Sequence, residues 1–206
     1  MNTVVVKPDR CVGCMQCMSA CAQAHSRSRS LYAAIFEEPR PSPRIHVGPG
    51  PTSFAFPNKC RHCDPAPCMK ACMPAAIVRD APTGCVLVDP SRCINCGMCS
   101  MACPFGVIRY RGDWRVPAKR SVAIKCDNCV DRQKEGKIPA CVETCLVKAL
   151  VFGDPNELLK EETRRLAWRV SVGLREGAPE EAQPAAVALW RAFGAKQSAV
   201  GDQPSA

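Results

Sequence analysis

Apolar positions along this chain come in short runs rather than long stripes. Val4-Val5-Val6 leads into Lys7-Pro8-Asp9-Arg10, which predicts a short strand and a turn. Val86-Leu87-Val88, leading into Asp89-Pro90-Ser91-Arg92, predicts the same pair a second time. Ala76-Ile77-Val78, Val107-Ile108 and Ala149-Leu150-Val151-Phe152 are further brief apolar segments, and Phe54 with Phe56 predicts a small apolar cluster. Between these runs the chain is polar or rich in turn formers. Residues 24–35 predict a short helix or ordered loop, Glu38 to Arg44 and Val47 to Pro51 predict loop, and Val130 to Lys137 reads as a polar insert. One longer helix is well signalled after Asp154-Pro155. Its first turns are acidic and its later turns basic, and Leu158, Leu159, Leu166 and Val170 form an apolar face expected to pack on the core. Residues 185–193, with Trp190, predict a short amphipathic helix in a tail otherwise expected to be disordered or to order on a partner. The pattern predicts an α+β fold of short strands and helices with long loops and a C-terminal helical extension.

Cysteine changes that picture most. The chain of 206 residues holds 17 of them, a density that leaves disulfides or metal as the ordinary explanations. The N-terminal residues 1–8 carry no charged leader region, long apolar core or twin-arginine pair, and no stretch approaches the roughly 18 apolar residues of a membrane span. A cytoplasmic protein without a membrane span is expected, with its cysteines as metal ligands. Only 5% of residues are aromatic, so metal ligation is expected to supply much of the folding free energy.

The cysteines fall into four runs. Cys93, Cys96, Cys99 and Cys103, followed by Pro104, have the three-plus-one spacing of bacterial ferredoxins, in which three thiolates hold one [4Fe–4S] cubane and the fourth serves its neighbour. Cys11, Cys14, Cys17 and Cys21 repeat this spacing, each dense run being preceded by V-x-V-x-P-x-R. A looser run alternates with them: Lys59-Cys60, Cys63, Cys68 and Cys72, then Lys125-Cys126, Cys129, Cys141 and Cys145. The order dense, loose, dense, loose predicts duplicated ferredoxin-like modules and sixteen ligands for four [4Fe–4S] clusters. Zinc sites more often show two separated pairs. Cys85 stands outside every spacing and is expected to be a small buried apolar residue. His62, between Cys60 and Cys63, is expected to pack or to tune the cluster rather than to ligate it.

These four runs, in this order and over residues 3–153, resemble the four-cluster electron-transfer subunits of the dimethyl sulfoxide reductase iron–sulfur family. Cys21-Ala22-Gln23-Ala24-His25-Ser26 and Cys60 to Cys68 are most similar to a soluble subgroup: the small subunits of carbon monoxide dehydrogenases and tungsten aldehyde oxidoreductases. The resemblance implies nested pairing of the runs, where spacing alone equally allows sequential pairing. One cluster then takes Cys11, Cys14, Cys17 and Cys145, and its neighbour Cys126, Cys129, Cys141 and Cys21. The other module takes Cys60, Cys63, Cys68 with Cys103, and Cys93, Cys96, Cys99 with Cys72. It implies an outer module of residues 1–30 and 116–153, an inner module of 53–112, a connecting loop at 31–52, and a C-terminal helix and tail at 154–206. It further implies a large catalytic partner of tungsten, molybdenum or nickel–iron type, and a further accepting subunit or copies of the same chain.

The formal charge of +9 resembles that of a nucleic-acid binder. An oxidised cubane with its four thiolates carries about −2, so four cubanes bring the total to about +1. The basic stretch Arg109-Tyr110-Arg111-Gly112-Asp113-Trp114-Arg115 with Lys119-Arg120 is accordingly read as compensation for anionic clusters or docking to an acidic partner, and no nucleic acid is expected. No nucleophile–base set or phosphate loop is visible, so catalysis is expected to lie in a partner. A free polyferredoxin shuttle is the alternative, and the C-terminal extension argues mildly against it.

Overall fold

The computed structural model describes residues 2–50, 55–117 and 120–173. Its strands are β1 (Thr3–Val6), β2 (His46–Pro49), β3 (Ala55–Asn58), β4 (Ile77–Arg79), β5 (Val86–Val88), β6 (Arg109–Gly112), β7 (Ser121–Ile124) and β8 (Leu150–Gly153). Its helices are α1 (Gln16–Ala24), α2 (Leu31–Ala34), α3 (Pro67–Lys70), α4 (Met98–Met101), α5 (Val130–Lys134), α6 (Ala140–Glu143) and α7 (Pro155–Gly173), with a 3-10 turn at Pro8–Arg10. The strands pair antiparallel, two at a time: β1 with β8, β2 with β3, β4 with β5, and β6 with β7. Strands this short bury little apolar surface, which leaves the core to be completed by something else.

The duplication read from the cysteine runs extends to the backbone. Val88 lies opposite Ile77, and Val6 lies opposite Leu150. The N–H of Asp89 donates to the Ala76 carbonyl at 2.7 Å, and that of Lys7 to the Ala149 carbonyl at 2.7 Å. In each half, therefore, the strand entering a dense run pairs with the segment leaving a loose run. In one half these strands are consecutive, joined through Asp80 to Cys85. In the other they are β1 and β8, and everything between them in sequence is interposed. The β1–β8 half is a circular permutation of the β4–β5 half. The hairpins repeat too: β2–β3 precedes the run beginning at Cys60, and β6–β7 the run beginning at Cys126.

The core is made of small apolar side chains and cysteines. One cluster gathers Ala76, Ile77, Val86, Ile108 and Val122 around Cys68, Cys93 and Cys99. A second gathers Val4, Ile45 and Leu150 around Cys17, Cys21 and Cys141. Among the described residues no Phe, Tyr or Trp is buried. Phe56, expected in a small apolar cluster, is instead exposed, and the Arg61 guanidinium lies over its ring at 5.7 Å and over that of Phe105 at 4.8 Å. Phe54 lies outside the described residues. The 31–52 segment, expected as loop, contains α2 and β2, and it packs tightly where Gly112 meets Pro39. A Cβ at Gly112 would stand 2.6 Å from the Pro39 Cβ, so only glycine fits there.

The described residues from Pro155 to Gly173 belong to a separate unit. Within it α7 carries ion pairs one turn apart, Glu157 with Lys160 at 2.8 Å and Glu161 with Arg164 at 3.3 Å. Leu159, Leu166 and Trp168 on this helix are exposed, and Leu158 and Val170 are partly buried. No helix of the described residues is long and apolar enough to cross a membrane. The amphipathic helix expected at 185–193 lies outside the described residues.

Candidate metal centres

Each of the four runs opens with the same backbone device. The residue before the second cysteine is left-handed: Gly13 at φ 70°, His62 at 53°, Asn95 at 59° and Asn128 at 60°. Glycine and asparagine adopt this conformation at least cost, and histidine is among the residues enriched there. The turn folds the chain back over its first sulfur, so that the His62 and Asn128 N–H groups donate to Cys60 Sγ and Cys126 Sγ, each at 3.4 Å. Three runs also close alike. Ala75, Gly106 and Lys148, each three residues past the last cysteine, have φ of 49°, 57° and 52°. Their N–H groups bond the carbonyls of Cys72, Cys103 and Cys145 at 3.0, 3.3 and 3.0 Å. The first run departs from this ending, because α1 continues through Cys21 to Ala24.

Between these turns, cysteine pairs four residues apart sit on short helices, one turn apart on a single face. Cys17 and Cys21 lie on α1, while Cys68, Cys99 and Cys141 lie on α3, α4 and α6 with Cys72, Cys103 and Cys145 just beyond their ends. Helix α1 packs on α6 and α3 on α4. The two sulfurs of each pair consequently point to two neighbouring groups of thiols. The Cys17 thiol has Cys11, Cys14 and Cys145 for company. Cys141 has Cys126, Cys129 and Cys21. Cys60, Cys63, Cys68 and Cys103 line one cavity together with His62 and Lys125. Cys72, Cys93, Cys96 and Cys99 line another with Tyr110. Sixteen cysteines are thus brought into four groups of four, and Cys85 is left out, buried, with Asn128 Nδ2 at 3.6 Å from its sulfur.

The spacing within the groups discriminates between metals. Tetrahedral zinc with Zn–S bonds of about 2.3 Å draws its sulfurs to about 3.8 Å apart. Among the described residues no three cysteine sulfurs lie within 4.8 Å of one another, and the set that does lie so close is His25, Asp127 and Cys129. All 17 cysteines are free thiols. Four thiols standing farther apart than one shared tetrahedral ion would draw them fit a cubane, which interposes its own iron and sulfide. The thiols are also unfit to be left bare. Burial, followed by the charge of Cys11, Cys14 and Cys145, pushes the Cys17 thiol up to about 11, and burial with Asp127 pushes Cys129 up to about 12. Burial raises Cys21 and Cys141 further still. Such sites become thiolate only against metal charge, so loading releases protons.

Polar groups surround the sulfurs. Arg44 N–H donates to Cys21 Sγ at 3.3 Å, Ala76 N–H to Cys72 Sγ at 3.2 Å and Ala123 N–H to Cys93 Sγ at 3.3 Å, while the Tyr110 hydroxyl stands 3.1 Å from Cys99 Sγ. Asp127, between Cys126 and Cys129, pairs with Arg44 and with His25 Nε2 at 3.1 Å. Burial alone would raise its carboxyl, but Arg44 and His25 hold it well below the usual carboxylate range. His62 is buried, with Nδ1 accepting the Val86 N–H at 3.1 Å and Nε2 unpartnered. Its donor to Nδ1 and its place beside the thiols fit a tuning role and leave that nitrogen no lone pair for iron.

The sequence pattern points to the cysteines and His62, places Tyr110 only within a basic stretch, and does not single out Arg44, Asp127 or Asn128 at the site. Arg44 lies in a proline-rich stretch that reads as loop, and nothing local ties it to a position 83 residues away. The left-handed φ shared by His62, Asn95 and Asn128 was the legible signal, since asparagine recurs at that step of the motif.

Residues 52–155 match a family model described as a 4Fe-4S dicluster domain, and residues 3–33 match one described as a 4Fe-4S binding domain. An iron-sulfur protein of Rhodospirillum rubrum is 40% identical over 157 residues, covering 73% of this chain and 81% of its own. The electron transport protein HydN of Escherichia coli K12 is 37% identical over 173 residues, covering 79% and 94%. The thiosulfate reductase electron transfer subunit PhsB of Salmonella typhi is 34% identical over 186 residues, covering 88% and 87%. The chain belongs to this family of 4Fe-4S dicluster proteins. It is an iron–sulfur electron-transfer protein that carries 4Fe-4S clusters.

Proposed function

We propose that this chain is the electron-transfer subunit of an oxidoreductase complex, with four [4Fe–4S] clusters relaying single electrons between a catalytic partner and an acceptor. The ligand sets are Cys11, Cys14, Cys17 and Cys145; Cys21, Cys126, Cys129 and Cys141; Cys60, Cys63, Cys68 and Cys103; and Cys72, Cys93, Cys96 and Cys99. The grouping of the sulfurs supports these sets. The clusters run in that order, because helix-borne cysteine pairs join the first to the second and the third to the fourth, and Cys60, Cys103 and Cys126 meet around Val107 between the second and third. The partner is a large metal-dependent chain of tungsten, molybdenum or nickel–iron type, and catalysis lies there. A thiosulfate reductase subunit among the relatives supports such an arrangement. We place this chain in a reducing compartment such as the cytoplasm, where thiols stay available for cluster assembly.

One observation carries this reading: each end group has an exposed thiol, Cys14 or Cys96, behind an apolar rim, and no cysteine of the two middle groups is exposed. Val12 and Ile94, each following the first cysteine of a dense run, are 67% and 62% exposed, and Leu146 and Met73, each following the last cysteine of a loose run, are 82% and 87% exposed. Cys14 and Cys96 are exposed beside them. The corresponding residues at the middle groups are Arg61 and Asp127, Ala22 and Pro104. Exposed apolar patches mark contact surfaces, and electrons enter and leave where a cluster lies near one. Two such faces suit a subunit fixed between a donor and an acceptor better than a free shuttle. The test is anaerobic purification of the native complex with the double substitutions Val12→Lys with Leu146→Lys and Ile94→Lys with Met73→Lys. One pair releases the catalytic chain, and the other keeps that chain but stops transfer to the acceptor. Unchanged assembly and transfer in both defeats the reading.

A further inference from the structure

Two lysines are buried where the halves of the cluster array meet. Lys59 is 1% exposed and Lys125 is 3% exposed. Each follows the last strand of a hairpin and precedes the first cysteine of a loose run. Lys59 Nζ donates to the Cys60 carbonyl at 3.0 Å, and Lys125 Nζ donates to the Cys126 carbonyl at 3.3 Å and to the Val86 carbonyl. Among the described residues neither forms an ion pair with a carboxylate. A buried ammonium held only by carbonyls is strongly unfavourable unless other negative charge lies close by.

That charge is found across the joint. Lys125 lines the cavity of Cys60, Cys63, Cys68 and Cys103. Lys59 stands within electrostatic reach of Cys126 and Cys141. Each lysine therefore stands beside one middle group, whose first cysteine carbonyl it bonds, and its charge reaches the other. The contact of Cys60 with Cys126 through Val107 brings the two groups near enough for the exchange. The end groups have nothing comparable at the corresponding step: their dense runs are preceded by Arg10 and Arg92, and neither is buried.

We propose that Lys59 and Lys125 are crossed counter-charges of the two middle clusters, each raising the reduction potential of the cluster in the opposite half. Adding an electron to a buried anionic cluster is opposed by the low dielectric around it, and a fixed cation offsets that opposition. Without the pair the middle of the array becomes a barrier between the better solvated ends. The inference rests on the four-cluster reading, and the parent protein serves as its control: if the parent lacks four clusters, that reading fails first.

The experiment is an anaerobic redox titration of the full chain, followed by electron paramagnetic resonance, with iron counted in every sample. The variants are Lys59→Met and Lys125→Met, with Lys59→Arg and Lys125→Arg as charge-keeping controls. Each methionine variant lowers one midpoint, a different one for each variant, so that the reduced-to-oxidised ratio at fixed potential falls at least tenfold, or about 59 mV for one electron. The remaining midpoints and all arginine midpoints stay in place. Full iron with four unmoved midpoints overturns the proposal. Should the methionine variants lose iron, Lys59→Gln and Lys125→Gln keep a donor to the same carbonyls and carry the same prediction. Loss of iron in those too assigns the lysines a structural role and overturns it as well.

Discussion

The Arg44 guanidinium is paired with the Asp127 carboxylate, tying the segment after α2 to the turn between Cys126 and Cys129. The same Arg44 donates its backbone N–H to Cys21 Sγ. A single residue thus braces two parts of one thiol group that lie far apart in sequence. Asp127→Asn removes the negative partner and leaves Arg44 charged in a site where its side chain is 11% exposed. Breaking a mostly buried pair costs about 3 kcal/mol. Chemical denaturation of the loaded protein is expected to show a loss of that order. Double substitution of Arg44→Met with Asp127→Asn is expected to cost less than the two single losses added together.

Gly112 on β6 faces Pro39 with no room for a side chain. Gly112→Ala is expected to destabilise by about 1–3 kcal/mol through overpacking. Pro39→Gly, which removes the opposing Cβ, should recover part of that loss. A thermal melt of the three variants checks both statements.

His46, on β2, is held below its ordinary value by burial first, then by the charges of Arg109 and Arg111 on β6. The folded protein therefore keeps a neutral imidazole at pH values where the unfolded chain has taken up a proton. Stability from this group is complete above about pH 6.5 and is lost as pH falls below that value. His46→Gln is expected to flatten the fall in stability on acidification, measured as denaturation midpoints on either side of that pH.

Cys85 and Cys72 make a controlled pair. Both are cysteines near β4 and β5, but only Cys72 lies in a group of four. Cys85→Ala is expected to keep the full iron content, and Cys72→Ala to lose or convert one cluster. Iron and sulfide assays on anaerobically purified variants decide this.

Much of this arrangement could be read from the chain. The steps of the runs, together with the V-x-V-x-P-x-R prefix, pointed to two repeats and to short strands, and Val4 to Val6 and Val86 to Val88 are strands. The partners of those strands were not legible. Nothing local in Val4-Val5-Val6 says that its neighbour is Leu150 to Gly153 rather than the next apolar run. The expectation for Phe54 and Phe56 failed at Phe56 because Arg61 offers its ring a cation on the surface, a competitor that apolar patterning does not see. Lys59 and Lys125 are written in the motif as ordinary basic residues. Their burial follows from two halves meeting, which is a property of the tertiary fold.

An array of four cubanes in one chain is tested most directly by iron and acid-labile sulfide per chain in anaerobically purified protein, with zinc assayed alongside. About sixteen irons and about sixteen sulfides, with no zinc, is the expected result. About eight irons, or zinc in the cysteine groups, would contradict it.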